Sequence, residues 1–173
     1  VEERIVNVSV AHPHLWQGVQ DPYLYYMVVD VVDKPSGLLD RVSIPFGIRR
    51  IRYDADKGLF LNGKPLAVHG VGYHQDREGK GWATDPADVA EDVATMREMG
   101  VTGIRLTHYQ HGQPIHDLAD RDGIVAWDEI PLVSQGTFGE NLQPTAALRE
   151  NARRQLRELI AQDLNHPSVV TWS

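Results

Sequence analysis

From Leu66 onward the chain repeats one design: a short apolar run that finishes in polar or ionisable residues, followed by a segment of helical period. Val101–Leu106 leads into Thr107-His108, Ile124–Trp127 leads into Asp128-Glu129, and Ser168–Trp172 precedes Ser173. Leu66–Val71 is a further run of buried type, with His74 just beyond it. Between the runs, Asp85-Pro86 starts a helix with proline at its first helical position, and Asp88 lies in its first turn. Val89, Val93 and Met96 then line one face, and Gly100 stops it. A second helix is expected around Pro114–Arg121, ending at Gly123. Leu148, Ala152, Leu156, Leu159 and Ile160 make a third, amphipathic one. Strands alternating with helices predict a parallel sheet with right-handed crossovers, and in such sheets the working side chains gather at the C-terminal strand ends.

The first third of the chain reads as β. Ile5–Val10 alternates apolar and polar residues, Tyr23–Val32 is rich in aromatic and β-branched residues, and Arg41–Phe46 is another short run. Turn signals at Gly18, Asp21-Pro22 and Lys34–Gly37 separate them. Such runs suggest a sandwich, but they are too few to complete one. Asn62-Gly63, between Gly58–Leu61 and Lys64–Ala67, predicts a hairpin closed by a type I′ turn. The change of period places a domain boundary between residues 1–53 and 54–173, and Pro131–Pro144 reads as a long loop. On pattern alone, four βα strands fit half of an eight-stranded barrel as well as a small doubly wound sheet.

Several functions are excluded or disfavoured. Gly70-Val71-Gly72 lacks the third glycine and the helix of a dinucleotide loop, so no nucleotide cofactor is expected. The chain carries 17 basic and 24 acidic residues, a net charge of −7, with no basic block to meet a nucleic acid. With no cysteine, neither disulfides nor thiolate chemistry is available. No apolar stretch approaches the roughly 20 residues of a membrane helix, and Val1-Glu2-Glu3-Arg4 is not a signal peptide. The compartment stays undecided, with bacterial cytoplasm ahead of secretion. His108, His111 and His116 form no strong ligand motif, so no metal is expected from them. Asp128 and Glu129 are neighbours on a strand and point to opposite faces, which argues against a catalytic carboxylate pair.

Seven stretches, in order, carry a resemblance. They are Leu15-Trp16 with Asp21–Tyr25; Phe46–Arg49; Phe60–Pro65; His69–His74; Arg105–Tyr109; Trp127–Pro131; and Asn165–Val169. The chain resembles glycoside hydrolase family 2, the β-galactosidase and β-glucuronidase group. The resemblance implies that residues 1–53 are the C-terminal part of an immunoglobulin-like sandwich. Residues 54–173 are then the N-terminal half of a (β/α)8 TIM barrel. It also implies hydrolysis of β-glycosides with retention by two glutamates about 5 Å apart.

In the family the acid/base follows the Trp-Ser run in an Asn-Glu pair, expected just beyond Ser173, and the nucleophile lies on a later strand. Neither catalytic carboxylate is therefore expected in this chain, which by itself would be inactive. With its barrel half open it would also self-associate.

Three positions carry over as substrate-binding residues. His74 matches a sugar-contacting histidine. Arg105 and His108 match an Arg-x-x-His pair whose arginine orients the nucleophile and whose histidine faces the sugar. The plainer alternatives are a histidine bonded at a barrel rim and an ion pair of Arg105 with Asp128 or Glu129. Where the family often has Asn-Arg-His-Glu this chain has Gly72-Tyr73-His74-Gln75, and Pro131–Gly136 offers no Glu-x-His magnesium motif. Trp82 and Phe138 are aromatics suited to stacking on a sugar, with packing beneath a loop as the expected role. A non-catalytic carbohydrate-binding or scaffold module is the alternative to a fragment of a glycosidase.

Overall fold

The computed structural model describes residues 5–132 and 145–173. The expected aromatic at Phe138 and most of the Pro131–Pro144 loop lie outside them. Among the described residues the strands form three separate sheets: an antiparallel pair, a three-stranded antiparallel sheet and a four-stranded parallel one. Among the described residues no helix is long and apolar enough to cross a membrane.

β1 (Tyr25–Asp33) and β2 (Gly37–Phe46) form one long antiparallel ribbon, in register from Tyr25 opposite Phe46 to Asp33 opposite Gly37. Arg41 bridges to Asp30 across it at 2.7 Å. Val28, Val31 and Leu39 are each more than half exposed, so neither face of the ribbon is packed as a sandwich core. The expected strand over Ile5–Val10 is not present, and its side chains are exposed. Alternation marks a pleat, but a strand exists only through a ladder partner, and this segment has none among the described residues.

β3 (Ile51–Asp54), β4 (Gly58–Leu61) and β5 (Lys64–Pro65) make an antiparallel meander. Its second turn has φ of 51° at Asn62 and 83° at Gly63, the two positive values a type I′ turn requires. Leu61 from this hairpin packs with Trp16 and Val125, and Leu24, Ile51, Leu66 and Val170 surround them, plugging the N-terminal end of the parallel sheet. Trp16 is wholly buried and donates its indole N–H to the Asp120 carbonyl at 2.8 Å. Arg49 donates to the carbonyls of Pro167 at 2.7 Å and Val169 at 2.6 Å. The early β region is thus bolted beneath the βα region through main-chain acceptors.

In the parallel sheet, β6 (Gly70–Tyr73), β7 (Gly103–Leu106), β8 (Val125–Asp128) and β9 (Val169–Trp172) stand in sequence order. The first strand starts later than expected. Leu66–His69 is irregular and mostly exposed, and its last residue reaches the neighbouring strand, the His69 carbonyl accepting from the backbone N–H groups of Thr102 and Gly103.

α1 (Pro86–Glu98), α2 (Gln113–Asp122) and α3 (Ala146–Asp163) are the connecting helices. Asp85 caps α1 by accepting from the backbone N–H groups of Ala87 and Asp88, and the Asp88 side chain completes the capping box. Val89, Val93 and Met96 are the buried face, as the period predicts. α2 ends at Gly123, whose φ of 77° and approach to Gly18 both exclude a side chain. A Cβ there would stand 2.2 Å from the Gly18 carbonyl carbon. The main core lies between sheet and helices and joins Ile104, Leu106, Ala126 and Val169 to Val93, Ile115 and Ala119. On the other face, Gly72, Arg105, Trp127 and Thr171 border an open concavity of about 460 Å³.

Candidate active site

Alternation along β7 sends Ile104 and Leu106 to the helix layer, which leaves Arg105 on the concave face with its side chain 45% exposed. The same rule separates the two acids after β8. Asp128 is buried toward the helices, while Glu129, with 8% of its side chain exposed, turns to Arg105. The Arg105 guanidinium donates Nε–H to Glu129 Oε1 at 2.6 Å and Nη2–H to Oε2 at 3.1 Å, a bidentate pair. Of the two acids offered as ion-pair partners, Glu129 is therefore the one used.

His108 completes this group. Its Nδ1 is 3.3 Å from Glu129 Oε2 and 3.4 Å from Arg105 Nη2. A carboxylate only accepts, so the Nδ1–H belongs toward Glu129, and Nε2 is left free for another partner. His74, just past β6, meets His108 edge to face with ring centroids 5.6 Å apart. The structure thus brings His74, Arg105 and His108 to one end of the parallel sheet, where Glu129 links the arginine to the second histidine. Glu129 is the acid that the sequence offered only as an ion-pair partner of Arg105, and the structure adds His108 to its contacts. Its signal was the strand-end position shared with His74 and His108.

The residues that depart from the family pattern have structural work. Tyr73 donates its hydroxyl to Asp92 at 3.0 Å, and burial together with that carboxylate pushes its pKa up. Gln75 accepts the Gly112 N–H at 2.7 Å and donates its own N–H to the Tyr109 hydroxyl at 3.0 Å. These bonds fasten the end of β6 to the loop between β7 and α2.

An aromatic tier borders the site. Tyr109 stacks between Trp82, at 4.8 Å, and His111, at 4.7 Å. Trp82 is 68% exposed, so it does not pack beneath a loop as expected; Tyr109 supports one face and the rest of the ring meets solvent. His111 is buried beneath the tier and donates Nε2–H to the Thr107 carbonyl at 3.2 Å. Burial lowers its pKa from the ordinary 6.5 to about 4, so the imidazole is neutral at physiological pH.

Other sequence motifs anchor rather than converge. His166 binds Asp120 Oδ2 at 2.7 Å, and the second oxygen of Asp120 accepts the Ser168 N–H at 2.9 Å, which pins the start of β9 to α2. His116 lies on the helix side of the sheet, facing Asp128 and away from His108.

Residues 54–173 match the family model for the TIM-barrel domain of glycosyl hydrolases family 2, and residues 1–49 match a second model of the same family. A β-glucuronidase of Bacteroides fragilis is 46% identical over 94% of this chain and 24% of its own length. A β-galactosidase large subunit of Lactobacillus helveticus is 30% identical over 98% of the chain and 28% of its own. Among solved structures, the apo form of Bacteroides uniformis β-glucuronidase 3 superposes with a TM-score of 0.83 at 33% identity, covering 95% of this chain and 20% of that one. The chain spans about a quarter of the length of the curated relatives it matches.

Proposed function

The chain belongs to glycosyl hydrolase family 2, and from that premise we propose that it supplies the first half of the catalytic barrel of a retaining β-glycosidase. In this reading residues 54–173 are that half, residues 1–53 end the preceding immunoglobulin-like sandwich, and both catalytic glutamates lie outside the chain. One observation carries the proposal: Arg105, His108, Glu129 and His74 form a single polar group at the C-terminal ends of successive parallel strands, where βα barrels keep their active sites.

The roles of His74, Arg105 and His108 are those that the family resemblance implies for these positions. His74 and His108 offer ring N–H or lone-pair groups to sugar hydroxyls, and such bonds strengthen as oxocarbenium charge develops. Arg105 is the cation beside which a glutamate from a later strand stays ionised. Glu129 holds Arg105 and His108 in that pose and is a positioning residue. The substrate is a β-glycoside. The 46% identical relative is named for β-glucuronides, so an aryl β-glucuronide is the first substrate to try and an aryl β-galactoside the second.

The gene's reading frame past the Ser173 codon tests the proposal. An Asn-Glu pair within a few residues is expected. A frame that continues with no carboxylate at the end of the fourth strand argues instead for a non-catalytic carbohydrate-binding module.

A further inference from the structure

His116 on α2, Asp128 at the end of β8 and Asp163 at the end of α3 play no part in the glycosidase reading, and we propose that they bind one divalent transition-metal ion, zinc foremost, that ties both helices to the sheet. All three are at least 99% buried, and their donor atoms lie within 4.8 Å of one another.

His116 Nδ1 faces the Gly112 carbonyl at 3.3 Å, and a carbonyl only accepts, so Nδ1 holds a hydrogen. His116 Nε2 then points at the Asp128 carboxylate, 3.2 Å from each oxygen. In a neutral imidazole that places lone pair against lone pair. Asp163 Oδ1 accepts from Gln113 Nε2 at 3.0 Å, but its Oδ2, buried and turned toward His116 at 4.0 Å, has no hydrogen-bond partner. With a neutral imidazole three acceptors converge on one point, and among the described residues no lysine or arginine pairs with either carboxylate.

A proton on Nε2 would serve Asp128 but leave Asp163 Oδ2 beyond hydrogen-bond reach. A metal ion serves all three. One imidazole and two carboxylates are a donor set that zinc accepts, and a tetrahedral ion with bonds of about 2.0–2.1 Å keeps its ligand atoms about 3.3 Å apart. The Nε2 to Asp128 edge already has that spacing, while Asp163 must close by roughly 0.7 Å on His116, from 4.0 Å, and by up to about 1.5 Å on Asp128, from within 4.8 Å. The Gly112 carbonyl on Nδ1 is the outer partner that orients a metal-bound histidine.

The test uses the 173-residue chain, stripped with EDTA, equilibrated with Co²⁺ and freed of excess ion. The expected result is one bound equivalent with the visible absorption of tetrahedral cobalt, displaced by Zn²⁺. His116→Gln and Asp163→Asn should each weaken binding by roughly 100-fold, while His74→Gln and His108→Gln keep it. Should the first two variants fail to fold, the cobalt spectrum of the parent chain still decides. Less than a tenth of an equivalent bound at micromolar cobalt would overturn the proposal. So would binding that survives His116→Gln but is lost with His74→Gln, or a His116 imidazolium seen by NMR at saturating zinc.

Discussion

His111 makes acid a specific solvent for this fold. Its ring is 3% exposed, stacked on Tyr109, and its Nδ1 has no hydrogen-bond partner. Burial is what holds its pKa at about 4 against the ordinary 6.5. The folded state therefore resists a proton that the unfolded chain accepts. Its contribution is complete above about pH 6.5 and is lost as pH falls toward 4, because in that window the unfolded state binds more protons. Integrating that difference between pH 7 and pH 5 yields about 2 kcal/mol. Other groups titrate over the same range, so the quantity to read is the difference between the parent chain and His111→Gln. Urea unfolding followed by circular dichroism at pH 7 and pH 5 supplies it. The parent should lose about 2 kcal/mol more than the variant. An equal loss in both, or a larger loss in the variant, would show that His111 carries no such penalty.

Gly123→Ala should cost more than about 2 kcal/mol in the same unfolding assay, because it adds strain at positive φ to a clash with the Gly18 backbone; a cost below 0.5 would mean the contact relaxes freely. Glu129→Gln in a polypeptide that includes the whole barrel should lower kcat/KM roughly 100-fold through misplaced Arg105 and His108. Stability should shift by no more than about 1 kcal/mol, since Arg105 is half exposed; unchanged kinetics would remove Glu129 from the site. Sizing chromatography of the chain should show species larger than a 19.4 kDa monomer, because the ribbon β1-β2 and the concave face leave apolar side chains such as Val28, Leu39 and Trp127 open to solvent. A compact monomer would show that these surfaces are tolerated.

Much of the βα half was legible because its signals are local. Asp85-Pro86, the Val89–Val93–Met96 stripe, Gly123 and Asn62-Gly63 each specify a backbone conformation with residues a few positions apart, and the structure has the corresponding cap, face, terminus and turn. What misled was partnership at long range. Ile5–Val10 has the alternation of a strand and, among the described residues, no neighbour to pair with. Leu66–His69 is apolar enough for a core strand yet serves as the connection from hairpin to sheet. Placing His74, Arg105 and His108 at strand ends needed only the period-two pattern and the direction of the sheet. Arg105's pairing with an acid on the next strand was open to the sequence, but the exposure of Trp82 and the burial of His116 between Asp128 and Asp163 depend on side chains 12 to 47 positions apart, which no spacing rule joins. The Asn165–Val169 stretch, read as part of a resemblance and as the start of the fourth strand, has a further physical office: His166 and Ser168 dock on Asp120.

The central claim is that this chain carries sugar-contacting residues of a retaining β-glycosidase whose catalytic carboxylates lie outside it. Turnover of aryl β-glucuronide and β-galactoside tests it most directly, measured for the 173-residue chain and for a polypeptide extended through the remainder of the barrel. The account predicts no turnover by the chain, and turnover by the longer polypeptide that falls sharply on His108→Ala. Hydrolysis by the chain alone, or an extended polypeptide indifferent to His108→Ala, would contradict it.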